Sequence, residues 1–100
     1  MSRFDHTELD DVIHGRLRLG IMAYLSTVSP APFVELKAKV NATDGNLSTH
    51  LSKLEEAGYV RMEKSFVGKK PLTRVYLTPA GRTAWIGYLN RLQALISAAE

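Results

Sequence analysis

The chain has 100 residues, with 13 lysines and arginines, 10 aspartates and glutamates, and no cysteine. This length suits one domain that buries a core of its own. The lack of cysteine excludes a disulfide framework and a thiolate metal site. The net charge of +3 comes from residues 44–82, where seven cations stand against four carboxylates. A basic surplus confined to one segment indicates a polyanionic partner, although a solvated basic face would have the same composition.

The sequence predicts neither secretion nor a membrane anchor. Residues 1–6 are polar and lack the apolar stretch that a signal peptide needs. An apolar stretch such as residues 19–25 is far shorter than the roughly 20 residues of a membrane span. We therefore predict a cytoplasmic protein with no membrane partner.

The amino-terminal part of the chain predicts helix, broken or bent at Gly15. Before Gly15, Leu9, Val12 and Ile13 fall on one helical face, and Thr7 can cap its start. After Gly15, four apolar residues recur at helical spacing, namely Leu17, Ile21, Met22 and Leu25. The prolines within residues 29–32 end this helix and precede the next one.

Residues 33–57 have the pattern of a helix-turn-helix. Its short first helix would bury Phe33, Leu36 and Val40. Its second helix, residues 44–57, would bury Leu47, Leu51 and Leu54. Asn41 is predicted to end the first of these helices in a left-handed conformation, Thr43 to cap the second, and Gly58 to terminate it.

Residues 60–77 predict a β-hairpin, because Val60, Met62 and Phe66 alternate with polar residues. Its tip, residues 68–71, combines turn residues with two lysines. Thr78 followed by Pro79 then predicts the capped start of a helix that extends to about residue 97. The expected fold class is mainly α with a small antiparallel β-hairpin, in a single domain of residues 1–100.

Four segments in this order resemble the winged-helix DNA-binding domains of MarR and ArsR regulators. They are residues 16–22 (RLRLGIM), 45–51 (GNLSTHL), 54–60 (LEEAGYV) and 77–82 (LTPAGR). The resemblance covers nearly the whole chain. It implies a transcriptional regulator whose third helix, residues 44–57, enters the major groove of DNA. It further implies a hairpin wing on the backbone or minor groove and terminal helices that pair two subunits.

The chain also departs from both kinds of regulator. It is shorter than full-length MarR proteins, which argues against a large effector pocket. It lacks the cysteines of the metal sensors among ArsR proteins. A small-molecule effector therefore remains an open question, and no cofactor is predicted.

The third helix turns small and hydrogen-bonding side chains away from its leucines. Asn and Ser can pair with bases, and Lys can reach phosphate or guanine. His50 lies at the edge of the buried stripe, where it either donates to a phosphate or packs against the preceding helix. Cations on the hairpin favour phosphate contacts. The candidate DNA-binding residues, each of which also fits a solvated polar face, are Asn46, Ser48, Thr49, His50, Ser52, Lys53, Lys64, Lys69, Lys70 and Arg74.

The last helix carries a broad apolar stripe. Its members are Trp85, Tyr88, Leu89, Leu92, Leu95 and Ile96. This stripe could belong to the core of one chain, line a small-molecule pocket or form a dimer interface, and we favour the dimer interface. Arg82, early in the same helix, is assigned a structural role.

Three classes of function fit the sequence to different degrees. The favoured class is a sequence-specific regulator that binds duplex DNA as a homodimer. The alternative is a winged-helix module that binds proteins, which an apolar wing would favour. Catalysis is not expected, because the sequence has no glycine-rich phosphate loop and no nucleophile elbow. Asp10 and His14 are the only metal-like pair, and no third ligand is identifiable, so no metal site is predicted.

Overall fold

The computed structural model describes residues 6–99, and the structural statements below concern that part of the chain. It contains four α-helices, one short 3-10 helix and a three-stranded antiparallel sheet. In chain order the elements are the 3-10 helix His6–Glu8, α1 Arg16–Thr27, β1 Ala31–Pro32, α2 Phe33–Lys39, α3 Asp44–Glu56, β2 Val60–Val67, β3 Lys70–Leu77 and α4 Pro79–Ala99. The predicted order of helices, hairpin and long last helix is confirmed.

The predicted helix over Leu9, Val12 and Ile13 is wrong. Within the described part of this segment, only His6–Glu8 is helical, as a 3-10 turn. The Asp10 carboxylate accepts hydrogen bonds from the backbone N–H groups of Val12 at 2.8 Å and Ile13 at 3.3 Å, which form an Asx turn in place of a continuous helix. Leu9 and Ile13 are nevertheless buried in the core. The apolar spacing therefore indicated burial correctly but not the backbone conformation.

The turn between α2 and α3 has the predicted geometry. Asn41 adopts the left-handed conformation, with a φ of 54°. Asparagine tolerates this region better than most residues that carry a Cβ. The Thr43 hydroxyl oxygen then accepts the backbone N–H of Asn46 at 3.2 Å, which caps the start of α3. Two local signals thus fix where one helix ends and the next begins.

Helix α3 ends in a pair of backbone hydrogen bonds typical of a glycine terminus. Gly58 has a φ of 82°, as predicted. Its N–H donates to the Glu55 carbonyl, and the Tyr59 N–H donates to the Leu54 carbonyl, each at 2.9 Å. These bonds form a Schellman motif, which satisfies carbonyls that would otherwise lack partners. The chain therefore leaves α3 at a defined angle and enters β2 directly.

Strands β2 and β3 form the predicted hairpin. The register pairs Val60 with Leu77 at its base. Gly68 and Lys69 connect the strands at the tip, and Gly68 has a φ of 64°. A glycine with positive φ at the first of two loop residues suits a type II′ turn, whose twist matches that of the strands.

The short strand β1, Ala31–Pro32, was not predicted. It pairs antiparallel with β3, which gives the strand order β1-β3-β2. Ala31 lies opposite Val75, and both are fully buried. Proline is tolerated here because β1 is an edge strand, where a missing N–H costs no internal hydrogen bond.

The core lies between the helices and the inner face of the sheet. Its fully buried side chains include the predicted stripe of α3 and three of the four predicted residues of α1, since Leu17 is only partly buried, together with one residue each from the N-terminal segment, α2 and β3. They are Ile13, Ile21, Met22, Leu25, Leu36, Leu47, Leu51, Leu54 and Val75. Helix α3 is therefore anchored through its leucines, and its opposite face is left to solvent.

A cluster of hydrogen bonds, here called the joint, connects the base of the hairpin to α4. The Thr78 N–H donates to the Tyr59 carbonyl at 3.1 Å, and the Thr78 hydroxyl donates to the Gly58 carbonyl at 2.6 Å. The same hydroxyl oxygen accepts the Gly81 N–H at 2.9 Å, which confirms Thr78 as the predicted cap before Pro79. A Cβ at Gly81 would overlap the Tyr59 carbonyl oxygen. Only glycine therefore allows this close approach.

The molecule is elongated, with extents of 55, 25 and 21 Å. Helix α4 has 21 residues and is about 31 Å long at 1.5 Å per residue, so it extends beyond the core. Within residues 6–99, no helix combines the length and the apolar character needed to cross a membrane.

Candidate nucleic-acid interface

The outer face of α3 carries most of the predicted DNA-binding residues. Helix α3 packs on the core through its leucines, which are fully buried. Its solvent-exposed residues include five of the six candidates on this helix, namely Asn46, Ser48, Thr49, Ser52 and Lys53. Their side chains are small or able to form hydrogen bonds, and none of the five is a carboxylate. This face can therefore approach another hydrogen-bonding surface closely.

The hairpin has two faces, and they differ in chemistry. Met62 faces the core, and Lys64 continues the same face farther out, because successive side chains of a strand alternate. Arg74 lies on the opposite face, where its Nη1 donates to the Ser65 hydroxyl at 3.3 Å. Lys64 and Arg74, both predicted on the wing, are therefore separated by the sheet.

The outer end of the hairpin, here called the wing tip, is both cationic and apolar. Lys69 lies in the turn and Lys70 begins β3, and both are exposed. The Phe66 side chain is 73% exposed and that of Val67 is 62% exposed. The alternation noted in the sequence therefore corresponds to burial only in the inner half of the hairpin, since the wing tip extends beyond the core.

A groove of about 280 Å³ separates α3 from the hairpin, and it joins two sets of predicted residues. Its lining includes Ser48 and Ser52 from α3 together with Lys64 and Thr73 from the hairpin. Phe33, at the start of α2, also lines this groove. The candidate residues of the helix and of the inner wing face thus border one continuous surface.

A wider groove of about 600 Å³ lies on the other side of α3, between α1 and the α2–α3 turn. Asn46 lines it, together with the cations Arg16 and Lys39. No carboxylate is among the residues that line this groove. Arg16 begins α1 and Lys39 ends α2, so neither was among the DNA-binding residues predicted on the third helix and the hairpin.

His50 differs from its neighbours on α3 because it is half-buried and already has a partner. The Nη1 atom of Arg18, on α1, lies 3.0 Å from His50 Nδ1. Burial lowers the pKa of His50 below its ordinary value, and the charges of Arg18 and Lys53 lower it further. The sequence predicted that His50 either contacts a phosphate or packs against the preceding helix. Its contact with Arg18 of α1 was not predicted.

The remaining cations divide into paired and unpaired groups. Arg61 forms an ion pair with Glu63 at 3.2 Å and also lies over the Tyr76 ring. Arg82 donates to the Ser26 carbonyl at 3.4 Å, which fits its predicted structural role. Among the described residues, no carboxylate forms an ion pair with the candidate cations Lys53, Lys64, Lys69, Lys70 and Arg74. The positive charge of the wing is therefore available to an external anion.

The apolar stripe of α4 is divided between the chain's own core and solvent. Tyr88 is only 3% exposed, accepts or donates a hydrogen bond with His14 Nδ1 at 2.9 Å, and stacks on Trp85. Leu92 and Leu95 are partly buried. Leu89 and Ile96 are exposed, as is Ile86, which the sequence analysis did not include. Tyr88 therefore belongs to the core of the single chain, and an exposed apolar face remains beside it.

The metal-like pair is engaged in hydrogen bonds within the chain. Asp10 accepts the Tyr59 hydroxyl at 2.5 Å in addition to two backbone N–H groups. His14 bonds to Tyr88. Within residues 6–99, no three side chains of histidine, cysteine, aspartate or glutamate are grouped so that they could hold a metal ion.

Two solved structures share this architecture across most of the chain. A transcriptional regulator homologue from Pyrococcus horikoshii OT3 has a TM-score of 0.89 and 29% identity, covering 100% of this chain and 99% of that one. A MarR-family transcriptional regulator from Silicibacter pomeroyi has a TM-score of 0.66 and 27% identity. It covers 88% of this chain, which spans only 56% of that longer protein.

Sequence comparison gives the same assignment. A protein from Methanocaldococcus jannaschii is 37% identical over 84 residues, which cover 84% of this chain and 91% of that protein. Residues 17–96 match the family described as winged helix DNA-binding domain. This match includes all of α1 but its first residue, the helix-turn-helix, the hairpin and most of α4. The chain therefore belongs to the winged helix DNA-binding domain family.

Proposed function

We propose that this protein is a transcriptional regulator that binds duplex DNA sequence-specifically as a homodimer. The observation that carries the proposal is the continuous surface formed by the outer face of α3 and the inner face of the wing. Ser48, Ser52 and Lys64 border one groove on this surface. Small hydrogen-bonding groups beside unpaired cations fit a ligand that combines base edges with phosphates.

The proposed complex places α3 in the major groove, which is wide enough to admit a helix. Asn46, Ser48, Thr49 and Ser52 would then reach base edges, and Lys53 would reach a phosphate or a guanine. The wing would follow the backbone or minor groove through Lys64, Lys69 and Lys70. Arg74 would reach the backbone from the opposite face of the hairpin. Sequence reading thus belongs to α3 and most of the salt-dependent affinity to the wing.

The homodimer is proposed from the exposed apolar face of α4. Ile86, Leu89 and Ile96 are between 42% and 52% exposed in the single chain. Pairing two copies about a two-fold axis would remove this face from water through a self-complementary contact. Two α3 helices set about one DNA turn apart would then read a pseudo-palindrome.

Selection from random duplex DNA at a stated salt concentration tests the function. The expected result is enrichment of a pseudo-palindromic sequence, here called the operator. Single Ala substitutions at Asn46, Ser48, Thr49 and Ser52 should each relax preference at one operator position, by roughly 1 to 3 kcal/mol for a lost base contact. Glu55→Ala, on exposed α3 surface near its end, serves as the control. If all four variants keep the preferences of the wild type, α3 is not the reader.

A second candidate function is a protein-binding module without DNA contacts. The observation that favours it is the exposure of Phe66 and Val67 at the wing tip, since an apolar wing fits a protein surface. The selection distinguishes the two candidates. Failure to enrich any sequence, with no binding to bulk duplex at low salt, would favour the protein-binding module.

A further inference from the structure

Arg18 connects the irregular N-terminal segment to α3, 32 residues away. Its Nε donates to the Val12 carbonyl at 2.5 Å, in the irregular N-terminal segment. Its Nη1 lies 3.0 Å from His50 Nδ1, on α3. Its guanidinium also covers Gly15, where an added Cβ would lie 3.1 Å from Nη2. The guanidinium is therefore held in one place by the backbone next to it.

The contact with Arg18 determines the chemical form of His50. A guanidinium has donors and no acceptor, so His50 Nδ1 must be the acceptor of this hydrogen bond. A neutral imidazole whose Nδ1 accepts carries its hydrogen on Nε2. A protonated imidazole would instead direct an N–H at the guanidinium, which agrees with the lowered pKa of His50. Arg18 from α1 and Lys53 from α3 are the charged groups that lower it.

The second nitrogen of His50 is left for an external partner. Within residues 6–99, His50 Nε2 forms no hydrogen bond. Residues three and four apart on a helix are neighbours, so His50 lies beside Lys53 and Asn46. Both of these are exposed and belong to the proposed DNA-binding face. An Nε2–H donor thus lies at the border of that face.

We infer that Arg18 is a positioning residue for DNA binding, because it holds His50 in the tautomer that donates from Nε2 to an acceptor on the duplex. This inference rests on the proposed function. The acceptor is either a phosphate oxygen or the acceptor edge of a base. Arg18 acts through His50 and makes no DNA contact of its own. The N-terminal segment, through Val12, thereby supports the recognition surface.

The tautomer can be measured on the free protein, independently of DNA. Long-range proton–nitrogen NMR of the imidazole should show the Nε2–H form of His50 in the wild type. In Arg18→Met, the two tautomers should exchange and the pKa of His50 should rise towards its ordinary value. A wild-type spectrum of the Nδ1–H form overturns the inference. So does an unchanged spectrum in the variant, because Arg18 would then not fix the tautomer.

Affinity for the selected operator tests the role of the Nε2 donor. His50→Gln keeps a donor near the position of Nε2, whereas His50→Asn places its amide near Nδ1 and lacks that donor. We expect His50→Asn to weaken binding about tenfold, the effect of one hydrogen bond, and His50→Gln to remain within about threefold of the wild type. Equal losses in both variants overturn the inference. The two His50 variants leave Arg18 and its hydrogen bond to Val12 intact. They therefore test the donor even if Arg18→Met destabilises the fold.

A double-mutant cycle separates positioning from direct contact. Arg18→Met should weaken operator binding in the wild type but not in a His50→Ala background, and the salt slope should stay unchanged. A full loss in both backgrounds, with the slope reduced by about 1, would make Arg18 a phosphate contact and overturn the inference.

The His50→Asn variant also identifies the acceptor on the duplex. If its affinity falls equally for all sequences, the acceptor is a phosphate oxygen. If it loses preference at one operator position only, the acceptor is a base at that position.

The same titrations separate this inference from the proposed function. Wild-type protein that binds neither the random-sequence pool nor bulk duplex contradicts the proposed function, and the DNA role of His50 with it. Wild-type binding with no effect of His50→Asn contradicts only the further inference.

Discussion

The wing tip and the outer half of α4 both extend beyond the core, and both expose large apolar side chains. On the wing tip, Phe66 and Val67 lie beside Lys69 and Lys70, which form no ion pair among the described residues. On α4, Leu89 and Ile96 lie on a helix whose residues 83–99 include one charged side chain, Arg91, which pairs with Glu8 at 3.0 Å. The two regions expose similar apolar side chains but differ in charge. The wing tip therefore suits a polyanion, and the outer half of α4 suits a second apolar face.

The largest expected effect comes from placing charge on the apolar face of α4. Leu89→Glu with Ile96→Glu should give a folded monomer, because both side chains are already exposed in the single chain. Operator affinity should fall at least about a hundredfold, since the linked second half-site is lost. Mass by light scattering and affinity by titration measure the two effects. Asn90→Glu with Ser97→Glu, at the same spacing on the polar side of α4, should remain dimeric. A dimer that survives the first pair would place the interface elsewhere.

The wing tip should respond in the opposite way, with altered binding and unchanged mass. Lys69→Ala and Lys70→Ala should each reduce the salt slope of binding by about 1, and together by up to about 2. The loss of affinity should be similar for all duplexes, since phosphate contacts carry no sequence information. Arg91→Ala removes one positive charge from α4 and should leave the slope unchanged. If the lysine variants also keep the wild-type slope, the wing tip does not contact DNA.

A smaller effect is expected where Tyr59, at the base of the hairpin, bonds to Asp10 of the N-terminal segment. Tyr59→Phe removes the hydrogen bond to Asp10 and should lower the free energy of unfolding by about 1 kcal/mol at neutral pH. That bond, together with burial and the carboxylate charge, raises the pKa of Tyr59 to about 12. The fold thus favours the protonated phenol of Tyr59. The contribution of its hydrogen bond to the free energy of unfolding is therefore complete below about pH 10 and is lost as the pH rises through 12.

Denaturant unfolding between pH 9 and 12 measures this dependence, and Tyr76→Phe provides the matched control. Within residues 6–99, the Tyr76 hydroxyl forms no hydrogen bond, and the Tyr76 ring lies under the guanidinium of Arg61. Wild type and Tyr76→Phe should lose more stability over this interval than Tyr59→Phe. Parallel curves for all three proteins would mean that the Asp10 contact contributes nothing that depends on pH.

The smallest expected effect concerns the apolar character of the wing tip. Phe66→Ala should change the free energy of unfolding by no more than about 0.5 kcal/mol, because the side chain is 73% exposed. Val75→Ala, on the buried inner half of the same hairpin, should cost roughly 2 kcal/mol. A large loss of stability from Phe66→Ala would show that the wing tip is packed in solution, and the contrast between the two halves would fail.

Local signals explain why much of the fold could be predicted from the sequence. Asn41, Thr43, Gly58 and Thr78 each determine the conformation or capping of a few neighbouring residues, and all four behave as predicted. The leucine stripe of α3 likewise follows from helical periodicity. The outer face of α3 was therefore predictable, since it lies on the side of the helix opposite its leucines.

The features that were missed depend on residues distant in sequence. The Asx turn at Asp10 is stabilised by Tyr59, 49 residues away, and Arg18 meets His50 across 32 residues. Strand β1 has only two residues and no alternation, so only its partner β3 defines it. The exposure of Ile86 follows from which side of α4 packs on α1 and the N-terminal segment. Periodicity within one helix does not contain that information.

The joint between the hairpin and α4 limits how the two halves of a dimer can adjust to DNA. Helix α4 is about 31 Å long, so a tilt of about 10° at its first turn would move its far end by about 5 Å. Gly81 lies against the Tyr59 carbonyl with no room for a side chain, and Thr78 bonds to both flanking segments. The angle between the hairpin and α4 can therefore change little. In the proposed dimer, the geometry of the joint would set the distance between the two wings.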